Sequence, residues 1–240
     1  MPFFTNYPKV DYFFGKEDFF VQYPDLVRYS EILDTVKNNG AFYQTYYIRN
    51  GWRSDNVSQE LYNRPDLHWT FFYLNDKLRE QGWPLDQYQI EEKITDDFPN
   101  TVLTTRDEIF SNFRVGSTIT GLESEKTGTI IKKNVDLGQL FIEGTVAFDS
   151  DESVQVIEDE ETHTITLVDR VKEENAPFYY VEEGGEKSDI NPLVGPDSDL
   201  SPVSYADYYL TQNLDLRTII VMKPEVASQF STEFRDVMRS

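Results

Sequence analysis

Cysteine is absent from this chain of 240 residues, and histidine occurs only twice. Without thiols there is no disulfide, no cysteine-ligated zinc and no thiol nucleophile, so the fold must stand on packing alone, which fits a cytosolic origin. Basic residues are also scarce, 22 Lys and Arg against 43 Asp and Glu, for a net charge of −21. A surface this acidic repels phosphate backbones and anionic lipid, which argues against nucleic-acid and membrane partners. No apolar run approaches the roughly 20 residues that span a bilayer. The opening MPFFTNYPKVDYFF carries aromatics and prolines where a secretory signal has a basic and then an aliphatic stretch, so the expectation is a soluble, non-secreted protein.

Aromatic residues, in contrast, are plentiful: 17 Phe, 15 Tyr and 3 Trp supply far more buriable surface than disordered chains carry. They are distributed unevenly. Residues 1–100 hold 23 of them, including every tryptophan, whereas residues 149–200 hold 16 acidic and 3 basic residues and most of the charge. Two regions with different physics share the chain.

Residues 1–40 read as an extended arm and a helix. Pro2, Pro8 and Pro24 interrupt helix in the arm, and its aromatics show no helical period. Leu26, Val27, Tyr29, Ile32, Leu33 and Val36 then recur at helical spacing before Gly40. Residues 41–49 read as a strand ending at Asn50-Gly51; Ser54-Asp55 can cap a short helix through Tyr62; and Pro65 opens a second, nearly all-apolar helix, LHWTFFYLN. Gly82-Trp83-Pro84-Leu85 turns the chain toward another extended segment.

From Phe113 onward, short alternating segments separated by glycines, at 115–121, 128–131, 140–142 and 146–148, suggest a small antiparallel barrel or sandwich. SVQVI and THTITLV suggest a hairpin across Glu158-Asp159-Glu160-Glu161, and 184–203 reads as a loop. LRTIIVM at 216–222 reads as a strand, and Pro224 starts a helix with Val226, Phe230, Phe234 and Val237 on one face. That strand and helix are expected to close the β region or to dock on another subunit.

The string YYIRNGWRSDNVSQELYNRPDLHWTFFYLNDKLREQGWPL at 46–85, together with the opening FTNYPKVDYFFG, resembles the LysM-containing baseplate wedge protein of T-even-like contractile-tailed bacteriophages. Val115-Gly116, Thr120-Gly121 and Asp136-Leu137-Gly138-Gln139-Leu140 resemble the β-rich section of the same family, and 149–200 looks like additional length beyond it. The resemblance implies an α+β fold: an arm and helix over 1–40, a LysM-like βααβ domain over 41–105, an antiparallel β-rich domain with an acidic insert over 106–203, and a C-terminal strand and amphipathic helix over 204–240. It further implies a structural subunit of the virion tail baseplate, assembled in the host cytoplasm, with about six copies around a symmetric baseplate and other wedge proteins as partners.

Residue chemistry alone offers little catalysis. His68 and His163 lie far apart in sequence, adjacent carboxylates such as Glu91-Glu92 alternate across a strand, and no phosphate-cradling glycine loop occurs. Residues 149–160 place oxygen-bearing side chains at several calcium-loop positions, but Val154 stands where an EF-hand needs glycine. No enzyme, metal or cofactor is therefore expected. Phe3, Phe4, Tyr7, Phe13, Phe14, Phe230 and Phe234 are the candidate contacts with neighbouring proteins, and Leu61, Trp69, Phe71, Phe72 and Leu74 the candidate LysM-like core. The alternative function, recognition of N-acetylglucosamine polymers, would use Trp52, Arg53, Asn75 and Trp83.

Overall fold

Two separated runs of the chain build one unit, and the stretch between them builds another: unit one takes the chain up to Gln87 and again from Asn213, and unit two takes Tyr88–Gln212. The computed structural model describes residues 9–13, 15, 20–24 and 42–239. The fold is mixed α+β with several antiparallel sheets. Phe3, Phe4, Tyr7 and Phe14, and all but the first residue of the helix expected over 24–39, lie outside the described residues.

In unit one, β1 (Lys9–Phe13) and β2 (Phe20–Pro24) form an antiparallel hairpin. The centre of the unit is a second two-stranded sheet, in which β3 (Tyr43–Tyr47) pairs antiparallel with a strand at Thr218–Met222 that lies about 170 residues downstream. Between them in sequence come α1 (Ser54–Tyr62), a 3₁₀ turn at Pro65–Leu67, α2 (Trp69–Leu74) and α3 (Asp76–Gln81). Arg53, in extended conformation, occupies the N-cap of α1 without a side-chain cap; Asp55 instead accepts from the N–H of Asn56.

The core of this unit is aromatic. Phe71 and Tyr73 of α2, Val57 and Tyr62 of α1 and Leu67 pack against Ile219, Val221 and Met222 of the downstream strand. The Tyr62 ring stacks on Phe71, and its hydroxyl donates to the Met222 carbonyl at 3.2 Å. All five residues expected in this core belong to it: Phe71 and Leu74 are buried, while Leu61, Trp69 and Phe72 pack against it half-buried. Asn75 ties the last turn of α2 to the sheet, its amide accepting from the N–H of Ile220 and donating to the same residue's carbonyl, both at 2.8 Å. The side chain thus acts as a one-residue extension of the sheet's hydrogen-bond ladder.

Unit two contains a closed six-stranded antiparallel barrel: β4 (Thr101–Thr105), β5 (Thr118–Gly121), β6 (Thr127–Asn134), β7 (Gln139–Ile142), β8 (Ser153–Glu158) and β9 (Glu161–Lys172), in spatial order β4-β7-β6-β5-β8-β9. Its interior is filled mostly by aliphatic side chains, among them Leu103, Ile119, Ile130, Leu140, Val154, Val156 and Ile165. Strand alternation turns Val102 of β4 and Phe141 of β7 to the other face, where they meet Ala176 and Tyr205. An aromatic layer covers that face: the Tyr205 ring lies about 5 Å from those of Phe98 and Phe178, and Tyr208 and Tyr209 extend the layer. It is carried by α4 (Gln87–Asp97) and the residue after it, by α5 (Tyr205–Asp215), and by a small sheet in which β10 (Pro177–Val181) lies between β11 (Lys187–Ser188) and β12 (Ser201–Ser204). Gly138, with φ +65, turns the chain into β7 where an added Cβ would collide with the Thr105 carbonyl, which explains the glycine of the DLGQL motif.

Four expectations change. The acidic stretch 149–200 is no appendage, since β8 and β9 supply two of the six barrel strands and β9 closes the barrel on β4. Residues 146–148 are not a strand; Phe148 instead fills the barrel from a loop. The downstream strand, β13 (Thr218–Met222), and the helix after it, α6 (Pro224–Arg239), do not close the β region: β13 completes the sheet begun by β3, and α6 buries Ala227 and Phe230 in the same core. The reason is visible in the pairing. Ile219, Val221 and Met222 supply the aliphatic floor that the aromatic helices need and that β3 alone does not provide. The division at 87/88 and 212/213 also differs from boundaries at 105/106 and 203/204, because β4, all five residues buried, belongs to the barrel.

Candidate protein-contact surfaces

The β1–β2 hairpin pairs Val10 with Tyr23 and Tyr12 with Val21. Cross-strand partners share a face, so Val10, Tyr12, Val21 and Tyr23 together make one wholly apolar surface. Val10, Tyr12 and Tyr23 are exposed, Tyr12 to 57%, and the two tyrosine rings meet edge-on at 6.3 Å. The opposite face carries Lys9, the Gln22–Asp11 hydrogen bond at 3.1 Å, and Phe13 against Phe20 at 5.9 Å. Phe13, the one candidate contact of the arm among the described residues, is 58% exposed. A two-stranded hairpin is marginal by itself in water, and an aromatic face on it gains most from a second surface. The alternation of Val10 with Tyr12 and of Val21 with Tyr23 on either side of Gly15 was the sequence signal for this face; a search for helical period misses it.

At the other end of the chain, Phe230 is spent on the interior. Its ring lies 6.0 Å from Trp69 and 5.5 Å from Tyr73, so it is a core residue of unit one and not a surface contact. Phe234 sits on the same helix, its side chain outside the described residues.

The four residues of the sugar-binding alternative do not converge. Asn75 has its amide engaged with the sheet, and the Trp83 indole packs on Phe71 and Phe72 while its N–H donates to the Trp52 carbonyl at 2.7 Å. Arg53 is exposed and pairs with Asp55. Trp52 remains, lining an open depression of about 460 Å³ with Asp55, Asn56, Gln59, Glu60 and Pro65. One face of its ring is already covered by the Arg49 guanidinium at 4.6 Å. Glu60 is held from two sides, by Arg49 at 2.8 Å and by the Tyr46 hydroxyl at 2.7 Å. Burial, followed by this carboxylate, pushes the Tyr46 phenol up to about 12.

No protein-family model matches the chain, and no curated protein matches its sequence. The surfaces must therefore be read on their chemistry.

Among the described residues no group of three or more metal-ligating side chains converges, and no helix is long and apolar enough to cross a membrane. The calcium-loop segment buries two carboxylates, Glu152 and Glu158. Glu152 accepts from the N–H groups of Glu123, Ser124 and Asp149 and from the Ser124 hydroxyl. Burial opposes its charge, but these donors outweigh burial and hold the carboxyl below the ordinary glutamate range. Glu158 is treated the same way: burial is overcome by the Ser117 hydroxyl at 2.6 Å, the N–H of Arg114 at 2.7 Å and the Arg114 charge. Both carboxylates pin barrel loops. His68 Nδ1 lies 2.9 Å from the Pro65 carbonyl, and His163 sits half-buried on β9.

Proposed function

We propose that this chain is a structural connector, a baseplate wedge subunit of a contractile phage tail that joins neighbouring wedge proteins during assembly. The observation that carries the reading is the β1–β2 hairpin, whose face of Val10, Tyr12, Val21 and Tyr23 is apolar along its whole length and turned to solvent. Exposed aromatics on a small, ordered element are the residue types that dominate interface energetics. The resemblance of residues 46–85 to the wedge family supplies the assembly. In this reading β3, α1, α2 and β13 are a LysM-like βααβ module whose last strand arrives after the whole barrel, and its helices serve as a scaffold for protein contact.

The test is co-expression with the candidate wedge proteins of the same tail, followed by size-exclusion chromatography, for the full chain and for a chain lacking residues 1–24. The full chain is expected to elute in a complex and the shortened one as a folded monomer. A shortened chain that still assembles complete baseplates defeats the hairpin as the contact. The sugar-binding reading rests on the Trp52 depression, and saturable binding of chitin oligomers that is lost in Trp52→Ala would support it in place of the connector.

A further inference from the structure

The loop from β4 to β5 presents a second, independently built contact. Phe110 is 72% exposed, yet both its backbone N–H and its carbonyl are hydrogen-bonded to side chains. The Glu108 carboxylate accepts from the N–H groups of Phe110 and Ser111. The Lys133 ammonium donates to the carbonyls of Ile109, Phe110 and Asn112, at 3.0, 2.9 and 3.2 Å, which uses all three of its protons. On either side Ile109 and Phe113 are buried in the barrel core, and Phe113 is held there at φ +58, a conformation that a bulky residue keeps only when its surroundings enforce it. The loop therefore holds Phe110 outward without further ordering. Beside it, Ile109, Val135, Pro192 and Leu193 line an apolar hollow of about 220 Å³, and Leu193 and Val194 are themselves exposed.

The surroundings are acidic. Tyr88–Gln212 carries 27 acidic and 9 basic residues, a net charge of −18. Asp107 and Glu108 line the hollow, and exposed Asp159, Glu160 and Glu161 form the turn that Arg114 ties to the same loop. The nearby cations are already engaged: Lys133 is spent on carbonyls, Arg106 donates to the Leu137 and Pro192 carbonyls, and Arg114, though exposed, is paired with Asp159 at 2.8 Å. We propose that Phe110, with Leu193 beside it, is the anchor of a docking face on the barrel that inserts into an apolar pocket ringed by Lys and Arg on a partner protein. Charge of this size and sign repels a second copy of the chain, and an acidic rim around a fixed aromatic selects a basic partner surface.

This face rests on the connector reading and gives the acidic unit its own contact within it. The experiment measures affinity of the purified full chain for each neighbouring wedge protein of the tail, for wild type, Phe110→Ser, Leu193→Ser and the hairpin variant Tyr12→Ser/Tyr23→Ser, with thermal melts of each. Phe110→Ser should melt like wild type and raise the Kd for one basic partner about tenfold or more, as a hot-spot aromatic does. Leu193→Ser should act in the same direction with a smaller effect, and wild-type Kd should rise steeply between about 50 and 300 mM salt. Wild-type affinity in Phe110→Ser, or affinity indifferent to salt, overturns the face. A complex kept by Phe110→Ser and lost by the hairpin variant overturns it while sparing the connector; a wild-type chain that binds no wedge protein overturns both.

Discussion

The two units answer the same problem, a core without disulfides, with opposite materials. Unit one has 13 basic and 16 acidic residues, all three tryptophans and a sheet of only two paired strands under its helices, so its burial comes from rings: Tyr62 on Phe71, Trp69 on Tyr73, and Phe230 across both Trp69 and Tyr73. Unit two has an aliphatic barrel and carries −18. Closure explains how it bears that charge. Every strand of a barrel has two neighbours, so no edge depends on side-chain contacts, and the repulsion is spread over a surface that the ladder holds together. The two-stranded sheet has no such protection and depends on what covers it.

The largest effect should come from removing residues 213–240. Unit one then loses β13, Phe230 and the aliphatic floor, and its tryptophan emission should shift to that of exposed indole while the barrel keeps its β-sheet circular dichroism. Tryptophans that stay buried would show that the units do not differ in this way.

Next come single core truncations. Phe71→Ala and Phe148→Ala should each cost about 3–5 kcal/mol, but only Phe71→Ala should move the melt followed by tryptophan fluorescence. Equal shifts in that probe would mean that the units unfold as one.

A smaller effect is expected where unit two keeps buried charge. Glu152→Gln replaces one oxygen that accepts from backbone N–H groups by a second donor, and should destabilise by about 1–3 kcal/mol. The wild-type carboxyls of Glu152 and Glu158 are held below the ordinary glutamate value of 4.5, so the folded barrel binds these protons less readily than the unfolded chain does. Their contribution is therefore complete above that value and is lost as pH falls through the folded pKa values. Acid titration of wild type and Glu152→Gln, followed by circular dichroism, should show a gap that narrows below pH 4.5. A gap independent of pH would remove Glu152 from the acid response.

The smallest effect has the opposite sign. The turn between β8 and β9 holds Asp159 at φ +52 and Glu160 at φ +69, the two-residue geometry that usually selects Asn-Gly. Glu160→Gly relieves left-handed strain of about 1–2 kcal/mol against about 0.4–1 kcal/mol of added unfolded-chain entropy, so a small net stabilisation is expected, read as a raised melting temperature.

Much of this architecture could be read from residue order. Strand β13 and the start of α6 at Pro224 follow from a β-branched run and proline, and the hairpin across Glu158–Glu161 follows from alternation, whereas α1 starts at Ser54 with Arg53 at its N-cap and no side-chain cap. Other features were hidden for definable reasons. β4 is buried on both faces and so shows no alternation, only the run TVLTT. α5 had a local sign, the reciprocal bonds of a capping box, Asp207 N–H to the Ser204 hydroxyl at 3.0 Å and Ser204 N–H to the Asp207 carboxylate at 3.3 Å, but its tyrosines resemble strand residues. The pairing of β3 with β13 leaves no local trace, because nothing in either strand names a partner about 170 residues away. The contact surfaces divide likewise. The hairpin's alternation is present in the sequence, while the exposure of Phe110 depends on Lys133, far along the chain.

The discontinuity of unit one also sets a clock. A ribosome adding about 5–20 residues per second needs roughly 10–30 seconds to pass from β3 to β13. Throughout that interval the first strand and its aromatic helices have been made and their closing strand has not. The barrel, encoded without interruption in between, is complete before that strand is translated. A chain released early therefore carries a finished barrel and an unfinished unit one, whose aromatic helices still lack the strand that covers them.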